Sequence, residues 1–540
     1  MAATHPGANT DHRPRQLSDG YGAQGKIACE ECRKRKVRCD GESPRCGACV
    51  DGGLTCRIIA RKSARGPKKG LLRTLRMQVA ELKDRLQERG PGSLKTEQDD
   101  TSAKCLQFSQ VDHDPVISTN IPPSNGTLSP DGCPMGGQSP NGACLSDLEK
   151  SDLTDLYFDR VHPCMPFIQR RRFFNWASSP HLTPGQACLK LAMWTVAASL
   201  SSQYTRTAKG LYLQTRRELE ELELNSFGLD PVHIEQVQAW ALVSLYEFLQ
   251  MFYRRGWLSL GRACRLVHPL GLYKIDCENN ILTEAMEHSP TETEERRRTF
   301  WMIYCVDRLV SIRNDWPLNF SEFVICTRLP VPEPDFQDEN PRLGPFLSES
   351  MASESPLSAF TQLIIFVTIC GRCASHRQQT LVESVYGNTN SDFWERHRWI
   401  HASLRQKLQL ISYTSDAAVW SSGPMHLFAT MMAHATVIYL HNILRDFLAE
   451  DDMGEEAVCL YKDAQSAAAQ VAILCRSLDS LSVFKIHPFT PYMVYSAAEL
   501  LSHEKGGPAE IHFSELVSFL HRLKPVNQLA DSYLRQLPLL

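Results

Sequence analysis

Six cysteines near the start of the chain fall at one interval used twice, C-x2-C-x6-C and again C-x2-C-x6-C: Cys29, Cys32, Cys39, then Cys46, Cys49, Cys56. A Cys-x2-Cys pair sets two sulfurs on one tight turn, aimed at a common point, and tetrahedral Zn2+ takes four such ligands. Six thiolates close two tetrahedra only if two sulfurs are shared. The spacing therefore predicts a binuclear cluster with two bridging cysteines and two zinc ions per chain. A disulfide knot or two unrelated zinc sites are the other uses of such cysteines. The N-terminal stretch MAATHPGANTDHRPRQ is polar and lacks the apolar core of a secretory signal. A reducing compartment is then expected, where clustered cysteines mean metal more often than disulfides. No run reaches the ~18 to 20 apolar residues of a membrane span. The strongest contender, Ala359–Cys370 (AFTQLIIFVTIC), is short, contains Gln362 and reads as a buried helix, so no membrane partner is expected.

The charge is distributed as unevenly as the cysteines. The 540 residues carry a formal net charge of −3, which argues against a polyanion partner only if the charge is evenly spread. Residues 26–89 hold 18 Lys and Arg against 8 Asp and Glu, a balance of +10. Residues 1–25 cancel, which leaves −13 on residues 90–540. A basic head on an acidic body marks a polyanion-binding module joined to something else. Inside the head, between the second and third cysteines, lies Arg33-Lys34-Arg35-Lys36-Val37-Arg38. A short helix there presents its basic side chains outward while Val37 faces the metal-bound core. Lys and Arg suit the O6 and N7 acceptors of guanine, and phosphate contacts by others position the protein without specifying sequence. A solvated charged face or a nuclear-import signal is compatible with the same residues.

The cysteine spacing, the basic run inside it and Pro44 two residues before Cys46 resemble the fungal Zn(II)2Cys6 binuclear-cluster transcription factors. The resemblance implies that Cys29 and Cys46 bridge the metals. Cys32 and Cys39 then complete one site, and Cys49 and Cys56 the other. It also implies that the basic helix enters the major groove end-on and reads a CGG triplet. Lys36 falls on the base-reading position with Arg35 beside it, and Arg33 and Arg38 fall on phosphates. With Lys34 these form the expected interface to double-stranded DNA.

One module reading three base pairs is too small for useful specificity, so doubling is expected. After a basic linker at 59–70, Leu72, Leu75, Val79, Leu82 and Leu86 step by 3, 4, 3, 4. That places Leu72, Val79 and Leu86 at a, and Leu75 and Leu82 at d, of a short coiled coil at 71–89, ended by Gly90-Pro91. The expected assembly is a homodimer. An amphipathic helix packed on its own protein has the same pattern.

Residues 91–145 are rich in Ser, Pro, Gly and Asn and read as a disordered linker, as does the N-terminal 1–25. From about Leu148 the pattern becomes densely helical. Leu153–Phe167 (LTDLYFDRVHPCMPF), Ala239–Tyr273 with Gly261 and Gly271-Leu272, and Glu294–Leu318 with Arg297-Arg298, Phe300-Trp301 and Asp307-Arg308 follow in order. His487-Pro488 and Pro491-Tyr492 come later. These resemble the fungal-specific transcription factor domain, or middle homology region, over 148–505. The resemblance implies an all-helical regulatory module, in some members sensing a small molecule. The residues quoted are expected to hold helices together, and no pocket for an effector is legible.

The expected architecture is thus mostly α: a Zn2Cys6 head at 26–58, a short coil, a loose linker, a large helical domain, and a C-terminal tail at 506–540. The acidic run Glu450–Glu456 (EDDMGEE) and the terminal LADSYLRQLPLL are candidate segments for recruiting transcription machinery. There is no G-x-S-x-G, P-loop, H-E-x-x-H or strand-preceded G-x-G-x-x-G, and the 18 histidines lack ligand spacing. The expectation is a nuclear, non-enzymatic regulator of RNA polymerase II genes, serving a secondary-metabolite cluster. A nutrient-use or stress pathway, or an enzyme or scaffold with an appended zinc module, are the competing readings.

Overall fold

The computed structural model of the chain describes residues 29–40, 44–56, 145–225, 232–277, 288–337, 342–386, 391–414, 423–447, 454–504 and 506–538. The expected coil residues Leu72, Leu75, Val79, Leu82 and Leu86, the basic linker at 59–70 and residues 91–144 lie outside them. The chain divides into two units, 1–130 and 131–540.

The described part of the first unit is the head, with two short helices, α1 (Glu30–Arg35) and α2 (Gly47–Asp51). Its buried core is sulfur: Cys29, Cys32, Cys46 and Cys49, with Cys39, Ala48, Leu54 and Cys56 packed against them.

The second unit is built of helices, with no strand among the described residues. The first group is α3 (Asp147–Leu156), which runs into a π-turn at Tyr157–Val161, α4 (Arg170–Ala177), α5 (Pro184–Ser199), α6 (Thr205–Asn225), α7 (Ile234–Leu249) and α8 (Tyr253–Leu266). The 25-residue α9 (Pro290–Asn314) follows, with the short α10 (Glu333–Gln337) and α11 (Leu347–Ala352). The last group is α12 (Ala359–Val385), α13 (Ser391–Thr414), α14 (Pro424–Phe447), α15 (Glu455–Leu478), α16 (Thr490–Leu501), α17 (Gly507–Leu523) and α18 (Gln528–Gln536).

Local sequence sets the helix starts. Ser146 and Thr183 form capping boxes with Glu149 and Gln186, and Ser289 caps α9 with Pro290 at the first helical position. Within the first group α5 packs on α6 and α7, and α7 on α8; within the last, α12 packs on α14 and α14 on α15. Helix α9 touches α7, α8 and α12 and so joins the two groups. The helices α12 and α14 are long and apolar enough to cross a membrane by length and composition, but their apolar windows are 83% and 78% buried inside the protein. The Ala359–Cys370 stretch is therefore core.

Charge inside α9 organises its surroundings. Arg298 is 1% exposed. It donates to Pro166 O at 2.9 Å, Val331 O at 2.8 Å, Glu333 Oε2 at 2.6 Å and Glu294 Oε1 at 3.3 Å, and it covers the Phe336 ring at 3.9 Å. Arg297 grips Asp276 through Nε at 3.0 Å and Nη2 at 2.6 Å. Asp307 accepts from Asn319 N at 3.0 Å and Asn319 Nδ2 at 2.6 Å. Residues 276, 319 and 331 sit in connections beside the helix and Glu333 opens α10, so α9's charges fasten segments that its apolar side chains cannot.

The segment expected as a C-terminal tail packs into the body. Phe513, Leu516, Leu520 and Leu523 recur at helical spacing and are buried on α17, and Leu529, Ala530 and Tyr533 of α18 join the same core. Within the LADSYLRQLPLL stretch Leu529, Ala530, Tyr533 and Leu537 are buried, while Leu539 and Leu540 lie outside the described residues. In the acidic run, residues 450–453 lie outside the described structure. Glu455 and Glu456 open α15, where negative charge suits a helix N-terminus, and Glu456 pairs with Arg398 at 2.8 Å.

Removing one partner of a buried pair strands the other. Glu294, whose side chain is 1% exposed, accepts from both Arg298 and Val331 N. Glu294→Ala is expected to cost about 3–5 kcal/mol of stability, read as a lowered midpoint in urea unfolding; an unchanged midpoint contradicts the role given to this network.

Candidate metal centre and nucleic-acid interface

In the head, each Cys-x2-Cys pair brackets the start of a short helix, and the helix turns both sulfurs inward. The sulfurs gather into two sets of four: Cys29, Cys32, Cys39 and Cys46, and Cys29, Cys46, Cys49 and Cys56. Within each set all sulfurs lie within 4.8 Å of one another. Cys29 and Cys46 belong to both sets, and their sulfurs are 3.6 Å apart. A Zn–S bond near 2.3 Å makes the edge of a tetrahedron about 3.8 Å, so the Cys29–Cys46 edge and the Cys32–Cys46 distance of 3.6 Å fit a shared-edge pair of tetrahedra.

The donor chemistry fits as well. Burial pushes the Cys32 thiol up to about 12 and the Cys46 thiol higher still. Cys29 is held down to about 6, chiefly by the Cys32 backbone N–H, which reaches its sulfur at 3.4 Å. Thiols packed this way become ligands only when a cation replaces their protons, and the protein has the sulfurs for two.

The repeated spacing is also a repeated backbone. Val37 N donates to Cys32 O at 3.1 Å, and Leu54 N donates to Cys49 O at 2.9 Å, the same five-residue offset in each half. The residue before each donor is left-handed, Lys36 at φ 55° and Gly53 at φ 63°. This is the Schellman geometry of a helix C-terminus, where glycine is preferred because a Cβ is unfavourable. Residues outside the cysteine spacing tie the halves together and brace the loop between them. Asp40 Oδ2 accepts from Gly47 N, the first helical residue of α2, at 2.8 Å, and Arg45 Nη2 donates to Leu54 O at 2.5 Å. Neither role follows from the cysteine count, although aligning the two halves against each other exposes the Lys36–Gly53 correspondence.

That correspondence also shows where the halves part company. Arg33, Lys34, Arg35 and Lys36 stand opposite Val50, Asp51, Gly52 and Gly53. The same capping hydrogen bond closes both copies, and only one copy carries the basic run. Lys34, Arg35, Lys36 and Arg38 are exposed; Arg33 lies on α1, its side chain outside the described residues. Lys36 stands just beyond the last residue of α1, at its C-terminal end. Val37, expected against the metal core, is instead 47% exposed, because the left-handed turn at Lys36 swings the chain away before Val37. The sulfurs, with Leu54 and Ala48, fill the interior without it.

Residues 27–66 match the fungal Zn(2)-Cys(6) binuclear cluster domain, and residues 154–410 match the fungal specific transcription factor domain. The likeness to individual proteins runs end to end. A citrinin biosynthesis transcriptional activator of Monascus purpureus is 36% identical over 99% of this chain and 97% of its own length. The chain belongs to the fungal Zn(2)-Cys(6) transcription factors. A pigment biosynthesis transcriptional activator of Monascus ruber is 36% identical over 97% of this chain and 95% of its own. An azaphilone cluster-specific transcription factor of Aspergillus niger is 39% identical over 85% of this chain and 95% of its own.

As a member of this family the protein binds two zinc ions and is a sequence-specific DNA-binding transcription factor. Its head should release zinc according to which sulfur is lost. The intact chain is expected to carry two zinc ions by atomic emission. Cys29→Ser, which opens both sets of four, should lose both ions. Cys56→Ser, which opens one, should keep a single ion. A wild-type ratio near one would contradict the shared edge.

Proposed function

We propose that the protein is a nuclear activator of a secondary-metabolite biosynthetic gene cluster, binding paired CGG triplets as a homodimer. In this reading Cys29 and Cys46 bridge the two zinc ions, Cys32 and Cys39 complete one site, and Cys49 and Cys56 the other. Lys36 reads guanine with Arg35 beside it, Arg33 and Arg38 hold phosphates, and Lys34 belongs to the same interface. Leu72, Leu75, Val79, Leu82 and Leu86 pair two chains, and the spacing between half-sites follows from the 59–70 linker. The head is the 26–58 module and the helical domain at 148–505 is regulatory. The protein acts by binding DNA and engaging transcription machinery, not by catalysis.

The observation that carries the DNA reading is the asymmetry of the head. Two half-units closed by the same hydrogen bond share one sulfur core, and the basic side chains crowd onto one of them, beside a lysine in a backbone conformation that ordinarily selects glycine. A lysine kept there at the cost of strain argues for a use of its side chain. Support for the target class comes from the end-to-end likeness to activators of citrinin and pigment biosynthesis.

The two alternatives for Lys36, base reading and backbone geometry, separate by substitution. Lys36→Ala is expected to weaken specific binding by about 1–3 kcal/mol and relax preference at one guanine. Lys36→Gly, which suits the left-handed turn, should lose the same preference while leaving zinc content and thermal stability intact. Equal weakening on all sequences would make Lys36 a phosphate contact. Chromatin occupancy mapping tests the whole reading: bound sites should hold two CGG triplets upstream of one biosynthetic gene group. Leu75→Ser with Leu82→Ser should abolish that occupancy while the head still binds zinc. Bound sites without paired triplets would overturn the dimer, and unchanged transcripts after loss of the chain would overturn the activator.

A further inference from the structure

Near the C-terminal end of α9, a cavity of about 560 Å³ lies among the segment from Pro317 to Phe323, α12 and α13. Arg308 lies along it, 2% exposed. Its guanidinium rests on the Tyr304 ring with 3.3 Å to the centroid and donates through Nη2 to Phe320 O at 3.0 Å. Nε and Nη1 have no hydrogen-bond partner. The carboxylate beside it, Asp307, stands 3.9 Å from Nη1 and already accepts from Asn319. Gly371 makes room for this arrangement: a Cβ there would meet Arg308 Nε at 3.0 Å. The guanidinium therefore lies against the backbone of α12, where a side chain would push it out.

The next lining group repeats the pattern. His376, on α12, is 2% exposed. Arg396 Nε donates to its Nδ1 at 3.4 Å, which assigns the proton to Nε2, and Nε2 has no partner. Burial, with the Arg396 charge next to it, holds this histidine down to about 4, so the ring is neutral. The other two arginines on the wall are committed, Arg372 to Glu322 at 3.0 Å and Arg396 to Glu383 at 2.6 Å. Among the described lining side chains, the buried groups left without partners are thus three N–H donors and no acceptor. Leu318, Phe320, Ile400 and the half-exposed Trp399 form the apolar part of the wall, and serine, threonine and glutamine side chains also line the cavity.

A buried guanidinium with unmet donors is costly, and an oxyanion meets them with charge-assisted bonds. Pockets for small molecules have this form, apolar walls with a few convergent polar groups. We propose that the cavity binds a small organic monocarboxylate. Its carboxylate oxygens accept from Arg308 and His376, and its aromatic or aliphatic body lies along Phe320 and Trp399. A ligand so held ties the Pro317–Phe323 segment to α12 and α13, which makes the body of this transcription factor responsive to an acidic metabolite. The site is built from the helical body alone and does not depend on which DNA the head reads.

The test uses the full-length zinc-loaded protein, with benzoate and octanoate as probes at matched ionic strength and benzamide and octanamide as uncharged twins. Millimolar benzoate or octanoate should raise the thermal midpoint by mass action and change the fluorescence of Trp399, a change absent in Trp399→Phe. The amides should bind at least about tenfold more weakly. Arg308→Gln should abolish the shift. Ser375→Trp fills the cavity from an exposed position on its wall without touching Arg308, and should abolish the shift while leaving the unliganded midpoint in place. Equal response to acids and amides, a shift that survives Ser375→Trp, or no response to either acid overturns the proposal, the last result assigning the unmet donors to bound water.

Discussion

The head depends on one contact, the edge between Cys29 and Cys46. A segment of fewer than about 40 residues cannot bury enough apolar surface to hold itself together. The four most buried side chains here are all cysteine. Both Cys-x2-Cys turns point at that edge, both short helices begin at it, and the polar ties from Asp40 to Gly47 and from Arg45 to Leu54 close around it. With metal in place the sulfurs act as the core that side-chain volume cannot supply. Removing the metal leaves a group of thiols whose burial opposes the charge that ligation requires.

The helical body solves a different problem. Its core is amply apolar, but α9 carries Glu294, Glu295, Arg296, Arg297 and Arg298 in consecutive buried positions. A charge in such a place must be answered. Arg297 is answered by Asp276 and Arg298 by Glu294, Glu333 and two carbonyls. Ten residues along the same helix, Arg308 is answered only in part. One helix therefore holds both fully matched guanidinia, which serve the fold, and an incompletely matched one, which borders the cavity.

Much of this was legible in the sequence. The cysteine interval counts sulfurs and ions by arithmetic, because ligand geometry is set by the metal. The helical periodicity from Leu153 onward places α3, α7 and α9, because a stripe of apolar residues has one way to be buried. The spacing at Phe513, Leu516 and Leu520 marks the core stripe of α17 in the same way. Other features were out of reach for a physical reason. The exposure of Val37 follows from a backbone turn at its neighbour, which no propensity assigns to lysine. The Arg308 cavity is assembled from positions 308, 320, 371, 376, 396 and 399. Those spacings mean nothing until α9, α12 and α13 are packed together.

The twin left-handed turns also set how the head tolerates change. At Gly53 the constraint is steric, since any side chain there pays for its Cβ in backbone strain. At Lys36 the strain is already present, so a replacement adds little to it and takes away only what the lysine does. The two equivalent positions thus respond differently to substitution: a side chain at Gly53 adds strain of about 1–2 kcal/mol, whereas at Lys36 that strain is already part of the folded head.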